Sequence, residues 1–442
     1  MTKETASHPH CFLIPFLLLG LSVAVGCAPQ ASGETAAFSL PESQACQLAL
    51  LPPGGSGDLD GQIRKAQESI ATTPRPLRRL ERLGWLFVSK ARTAYDPGFY
   101  TQAQACAQCL QQAADAPEHP PAMLLRGHVL HSLHQFPEAE EVARRLVEVR
   151  GLPYDFGLLG DVLQEQGKIE EAARAYQRML DLKPGPKAYM RAAHVRWLKG
   201  DLEGAVELMT AAAAAGNRDS EAAAWAFSRL AWYQLQAGRI RASLNAVESA
   251  EQLHPGYAPA LLMRGRIHLA QGDPQAALPA LQEAARLNPL PEYLWVLADT
   301  LRLLGRDGQA RELEVELSEK GPADDPRTAA LFLATRQSRS PDEALRLARR
   351  ELELRQDVFT HDALAWALHS AGRFREARDA MQKALALDTP DARLYLHAGL
   401  ISTRAGDHQE ASRFLARAEN MRQTLLPSEA ALLDSAPSPQ HP

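Results

Sequence analysis

A glycine returns along most of this chain every 33 or 34 residues, and the residues around it return with it. The series is Gly167, Gly200, Gly238, Gly272, Gly305, Gly372 and Gly406, with His134 and Arg339 standing in at two further places. A unit of this length is one supersecondary element that cannot bury its apolar face alone and has to stack on its neighbours. The chain is therefore a solenoid. Such an architecture works by presenting an extended surface, but no residue names what lies against it.

Five residues after each marker stands a small side chain: Ala139, Ala172, Ala205, Ser243, Ala277, Ala310, Ala344, Ala377 and Ala411. Small residues there let two helices approach closely. Positions nine and twelve after the marker, such as Tyr176, Met209 and Leu281, then Ala212, Ala250 and Ala284, complete one helical stripe. Seventeen after it come Pro184, Pro255, Pro289 and Pro322, with Pro390 one place late, each closing its unit because proline cannot continue a helix. Upstream, Leu294, Leu297, Ala298 and Leu301 exemplify apolar or small residues that share one face of a preceding helix. Each unit reads as helix, glycine turn, helix, proline-limited turn, and glycine suits the left-handed or tight conformation of the short loop.

These landmarks together resemble the tetratricopeptide repeat. The resemblance implies an all-α, right-handed superhelical solenoid of about nine to ten helix-turn-helix repeats, nine of them over residues 120–422. A divergent further repeat fits residues 83–116, with Gly98 as its turn and Ala103 five places on. The long spacing from Gly200 to Gly238 predicts a longer turn over residues 214–220.

At 442 residues a chain would ordinarily hold two or three globular domains, but a solenoid grows linearly and needs no such division. Charged residues make up 23% and the net charge is -5, so the basic field that nucleic-acid binding requires is absent. Aromatic residues are 6% and no alternating β-branched run occurs, so no strand is predicted.

Residues 1–26 read as an export signal. The apolar run from Cys11 to Val25 is too short to span a bilayer comfortably. It ends Ala24-Val25-Gly26-Cys27, which resembles a bacterial lipobox, with Ala24 where leucine is usual and only Lys3 against Glu4 ahead of it. The resemblance implies cleavage before Cys27 and lipid attachment to it, and Ala28 in place of Asp implies an outer-membrane address. An ordinary secretion signal is the alternative reading. Residues 27–61, rich in Ser, Gly, Pro and Ala, read as a flexible tether, and residues 62–119 as a capping helix with the divergent first repeat. The tail, residues 423–442, reads as a short helix capped by Ser428 and otherwise disordered.

After modification of Cys27, Cys46, Cys106 and Cys109 remain. Cys106 and Cys109 have the spacing of a redox pair, and one helical turn brings them near enough to consider a bridge. No strand precedes them and Leu110 breaks the haem-attachment pattern, so packing or a structural bridge is the favoured reading. His128 and His131 lie three apart, with His134 following, a spacing able to hold a metal, although no carboxylate or cysteine partner accompanies them. Phosphate-cradling loops, nucleophile elbows and metalloprotease motifs are missing from the sequence. No catalytic residue and no cofactor are expected.

The resemblance also implies an inner surface lined by the first helix of each unit. Counting back thirteen, ten, six and three residues from the marker gives a second helical face, and the tryptophans fall on it. They are Trp197, Trp225, Trp232, Trp295 and Trp366, with Trp85 in a less secure register. The same face carries Arg266, Asp299, Arg302, Arg336, Asp362 and His369. One reading has the rings merely filling the inside of the superhelix. The other has Trp225, Trp232, Trp295 and Trp366 anchoring a peptide or partner helix, with Arg and Asp fixing register. The sequence thus points to a non-enzymatic, membrane-anchored scaffold for protein partners in a bacterial envelope. The alternative is a periplasmic metal-handling or redox accessory protein using His128 and His131, or Cys106 and Cys109.

Overall fold

The structure is a computed structural model that describes residues 40–73, 76–216, 221–336 and 341–436. The export signal, Cys27 and its lipidation, the tether up to residue 39, the stand-in marker Arg339 and the tail beyond residue 436 lie outside the described residues.

Secondary structure among the described residues is helical throughout. Two helices, α1 (Gln44–Ala49) and α2 (Asp58–Ala71), precede ten antiparallel hairpins. The first hairpins are α3 (Leu77–Thr93) with α4 (Phe99–Ala113), α5 (Pro120–Ser132) with α6 (Phe136–Val149), and α7 (Pro153–Glu165) with α8 (Ile169–Leu182). Next come α9 (Pro186–Leu198) with α10 (Leu202–Ala215), α11 (Glu221–Gln236) with α12 (Ile240–Leu253), and α13 (Ala258–Ala270) with α14 (Pro274–Leu287). The series closes with α15 (Pro291–Leu303) and α16 (Asp307–Asp324), α17 (Pro326–Thr335) and α18 (Pro341–Leu354), α19 (Val358–Ser370) and α20 (Phe374–Ala384), and α21 (Ala392–Ala405) and α22 (His408–Asn420). A 3₁₀ turn, Arg422–Thr424, and α23 (Pro427–Asp434) follow. The hairpins form a superhelical solenoid.

The local reasons are those of the repeat. Glycine markers from Gly167 to Gly406 all take φ between 69° and 88°, and His134 fills the same role at φ 60°. Proline opens α5, α7, α9 and α15, and aspartates at 201, 273, 325, 357 and 407 each cap a helix through the third backbone amide. The small residues five after the marker, Ala172, Ala205, Ala277 and Ala310 among them, are fully buried where the two helices of a hairpin meet.

Several expectations give way. Pro322 does not close its unit: it lies inside α16, and the chain turns only at Asp325, whose side chain caps α17. Gly98 is not the first turn's left-handed residue; it precedes α4 at φ -56°, and Tyr95 takes the left-handed position at φ 52°. Residues 214 and 215 still belong to α10, so the longer turn is shorter than expected. Residues 44–61 are not tether. They hold α1, a non-helical connection over residues 50–57 and the start of α2, and Ile63, Cys46 and Ala49 are buried against α3 and α4.

The Cys106–Cys109 bridge that the spacing allowed as one reading does not form; Cys109 instead bridges to Cys46, whose Cα lies 4.8 Å away. A helix holds residues three apart with their side chains projecting toward the neighbouring element rather than toward each other. Helix α1 supplies that neighbour, and Cys106 stays a free, buried thiol whose pKa burial pushes up. The bridge closes a separation of 63 residues.

The superhelix meets itself. The backbone N–H of Gln356, just before α19, donates to Glu165 O at 3.1 Å at the end of α7, and Arg355 pairs with Glu165 at 3.1 Å and with His134 at 2.6 Å. Thr389, just before α21, donates to Leu198 O at 2.6 Å at the end of α9. Gln423, after α22, donates to Leu235 O at 3.1 Å at the end of α11. Each contact joins a hairpin turn to the chain about six repeats later, so successive turns of the superhelix are in direct contact.

Two outcomes test this. Gly167 and Gly305 have nearly the same φ, but a Cβ on Gly167 would sit 2.3 Å from Gln356 O while one on Gly305 meets nothing. Gly305→Ala is expected to cost about 1–2 kcal/mol of backbone strain, and Gly167→Ala distinctly more because it also opens the seam; thermal melting of both variants compares them. Cys46→Ala is expected to lose up to about 4 kcal/mol, and non-reducing peptide mapping of the wild type should recover Cys46 linked to Cys109 rather than Cys106 linked to Cys109.

Candidate partner-binding channel

Because the turns touch, the inner face of the solenoid is a channel rather than an open groove. One cavity on it, about 380 Å³, is lined by residues from every first helix between α9 and α21 and by Thr424 and Glu429 of the segment after α22. The lining follows the counted register: Trp225, Pro259, Glu292, Phe359 and Arg393 stand thirteen before their markers, Ser228, Leu262, Trp295 and Asp362 ten before, and Trp232 and Arg266 six before. Arg229 and Met263 join one residue further round the helix.

The rings differ sharply in availability. Trp366 is buried between His397 and His369, with ring centroids 4.1 and 4.9 Å away, and its Nε1–H donates to Thr335 Oγ1 at 3.0 Å. Trp197 is buried under Phe359, 5.6 Å across the seam, and against Tyr233. Trp295 is 1% exposed, edge-on to Phe332, and its Nε1–H donates to Ser428 Oγ at 3.1 Å. Trp85 lies outside the channel lining, tilted on His128. Expectation and structure therefore part at Trp295 and Trp366, where repeat-on-repeat packing and the chain's own tail cover the rings. Trp225, 36% exposed, and the half-buried Trp232, one face of α11, remain open to the cavity.

The charged residues are also largely engaged with one another. Arg266 is buried, stacks 4.4 Å from the Trp232 ring, and pairs with Glu292 at 2.9 Å. Asp299 shares one oxygen with Arg336, which reaches Glu314 at 2.8 Å, and Glu314 in turn holds Arg302. Burial nonetheless keeps the Asp299 carboxyl above its ordinary pKa, against the pull of Arg336. Asp362 and His397 are both buried and 2.8 Å apart. Arg229 stands apart: its guanidinium lies over Trp197 and Tyr233 and 3.3 Å from His194 Nδ1, and its Nε has no hydrogen-bond partner. Burial, then the neighbouring Arg229, lowers the pKa of His194 to about 3.

The residues named for the alternative do not converge. His128 packs on Trp85, with its pKa pushed down to about 3 by burial, and His131 lies edge-on to Phe136. No group of three or more His, Cys, Asp or Glu among the described residues is arranged to hold a metal ion. Sequence reasoning passed over Phe359, Arg393 and Glu292 because it selected tryptophans and a few charges; all three sit in the thirteen-before register and were findable there.

A helix-hairpin solenoid with an inner channel lined by its leading helices is the class of protein these features define. The tetratricopeptide repeat family model matches residues 158–224, 228–290, 262–325 and 363–433, more than half of the chain. The chain belongs to that family. A comparison with curated protein sequences finds no match. Among solved structures it is similar to a thermophilic tetratricopeptide repeat protein of Thermus thermophilus, with 22% identity over 41% of this chain and 97% of that one, at a TM-score of 0.37. A repeat protein from Parabacteroides merdae shows 19% identity over 56% of this chain and 98% of that one, at 0.32. The human IFIT1 dimer with PPP-AAAA shows 14% identity over 87% of this chain and 96% of that one, at 0.48. These likenesses concern the repeat fold. That fold supports a scaffold for protein or peptide partners.

An unfolded histidine protonates near 6.5, whereas His128 and His194 in the folded chain hold out to about 3. Their folded values are depressed, so the unfolded chain binds more protons between those limits and stability falls as pH drops from about 6.5 toward 3. His128→Gln and His194→Gln are each expected to flatten the decline in unfolding free energy between pH 7 and 5, followed by denaturant melts, by up to about 1 kcal/mol per pH unit before solvent screening.

Proposed function

We propose that this chain is a non-enzymatic scaffold that gathers a protein or peptide partner in its channel, anchored through a lipid on Cys27 to a bacterial envelope membrane and facing the periplasm. The observation that carries the partner reading is the pair Trp225 and Trp232, two indole rings open to the cavity beside Arg229 and Arg266. Aromatic and arginine side chains in a concave setting are what binding hot spots are made of. Arg266 is held there by its ion pair with Glu292 of the next repeat and by the Trp232 ring, which lowers the ordering cost of binding. The anchor reading is supported by the lipobox-like Ala24-Val25-Gly26-Cys27, and the Cys46–Cys109 bridge suits an oxidising compartment. No helix among the described residues is long and apolar enough to cross a membrane.

Two variants separate the claims. Trp225→Ala with Trp232→Ala is expected to abolish capture of the partner by membrane-bound protein while leaving the melting temperature within a few degrees, and unchanged capture sinks the channel reading. Cys27→Ser is expected to release the chain into the soluble fraction without affecting capture; continued sedimentation with membranes refutes the anchor.

A further inference from the structure

The chain after the last hairpin does more than cover its end. Leu433 packs on Tyr395 and Leu396, as a terminal cap would. The residues just before it instead reach the fifth, sixth and seventh hairpins, and two of them, Thr424 and Glu429, line the channel cavity. Gln423 donates to Leu235 O at 3.1 Å on α11, and the main-chain carbonyl of Thr424 accepts from Arg266 Nη2 at 2.8 Å on α13. On α15, Asp299 Oδ2 accepts both from the Ser428 backbone N–H at 2.9 Å and from its hydroxyl at 2.6 Å, while Trp295 donates to the same hydroxyl. Arg393 on α21 pairs with Glu429, which also accepts from the backbone N–H of Leu426 at 2.9 Å. The expected cap at Ser428 is corrected accordingly: Leu426 is the capping position, Glu429 supplies the carboxylate, and the Ser428 side chain is given to the channel.

The chemistry is that of a bound peptide. One carboxylate reads both the amide and the hydroxyl of a single residue, an arginine reads the next residue's carboxylate, and a second arginine holds a main-chain carbonyl; charge-assisted contacts of this kind fix register as well as supply energy. Arg266, Trp295 and Arg393 line the channel cavity at the six-, ten- and thirteen-before positions, and Asp299, six before its marker, lies buried on the same helix as Trp295 and bonds Ser428.

We infer that Arg266, Trp295, Asp299 and Arg393 form a recognition site for a peptide that enters a helix through a hydroxyl residue followed directly by an acidic one, and that residues 423–429 occupy this site in cis. The inference rests on the channel being the partner site and names the partner's chemistry: a segment with the pattern Leu-Pro-Ser-Glu of residues 426–429 or its equivalent, which competes with the chain's own tail. The tail sets a threshold that only a segment with matching hydroxyl and carboxylate can pass.

The test uses the full chain carrying Ser428→Ala and Glu429→Gln, which weakens the tail and leaves the four site residues untouched. Hydrogen exchange of the amides in residues 424–433 and binding of a labelled synthetic peptide of residues 421–436 are measured on the same sample, with circular dichroism melting to verify folding. Faster exchange and binding at least about tenfold tighter than to the wild-type chain are expected, with binding lost again on adding Arg393→Ala. If the double variant does not fold, Ser428→Ala alone is measured against the same criteria. Unchanged exchange means the tail is a fixed part of the fold and overturns the proposal. Faster exchange without peptide binding, or equal binding of a scrambled peptide, overturns it as well. Loss of partner capture on replacing Trp225 and Trp232 is read independently, so the peptide result and the scaffold reading fail separately.

Discussion

The contact between successive turns of the superhelix is the constraint on which the rest depends. In a solenoid each repeat needs only its neighbours. Here the turn after α7 also meets the chain before α19, and the turn after α9 meets the chain before α21. Those few hydrogen bonds draw successive turns of the spiral together around its inner face. Stacking of Trp197 on Phe359 across the seam follows from the same approach, since the two rings are far apart in sequence and meet only when one turn settles on the next.

Much of the fold was legible because a repeat states its geometry many times over. The marker glycines, the alanines five places on and the counted inner register are consequences of helical periodicity, and the cavity lining from α11, α13, α19 and α21 keeps largely to that register, whereas α17 lines it with Arg327, Thr328 and Leu331 outside it. What remained hidden belongs to contacts between distant parts of the chain. Periodicity puts Trp366 and Trp225 on the same kind of face, but only the packing of His397 and His369 around Trp366 decides that one ring is covered while the other stays accessible. Residues 44–61 resembled a linker in composition, yet Cys46 and Ala49 find an apolar surface on α4 that composition does not reveal. Pro322 sits within α16 because the break in the chain comes from the Asp325 cap and not from the proline itself.

The channel's electrostatics follow from burial. Three arginines and their carboxylates along the channel are tolerated in buried positions because they pair or share hydrogen bonds: Arg266 with Glu292, Asp299 with Arg336, Arg393 with Glu429. Removing one member would leave a desolvated charge behind, so these pairs act together in holding the aromatic walls in place. Arg229 departs from this pattern, resting on ring faces without a carboxylate partner. It brings positive charge to the wall shared by the channel cavity and the seam.

The sulfur bridge near the amino end has a mechanical consequence. Tension entering from the residues before Leu40 reaches α1, and the covalent link from Cys46 passes it directly to Cys109 on α4. The chain between those cysteines, including α2 and α3, is shunted out of the pulling path. A hairpin at the end of a stack is ordinarily the first to peel away under force; here the pull is delivered to the second helix of that hairpin, and unzipping from the terminus is forestalled for as long as the bridge stays oxidised.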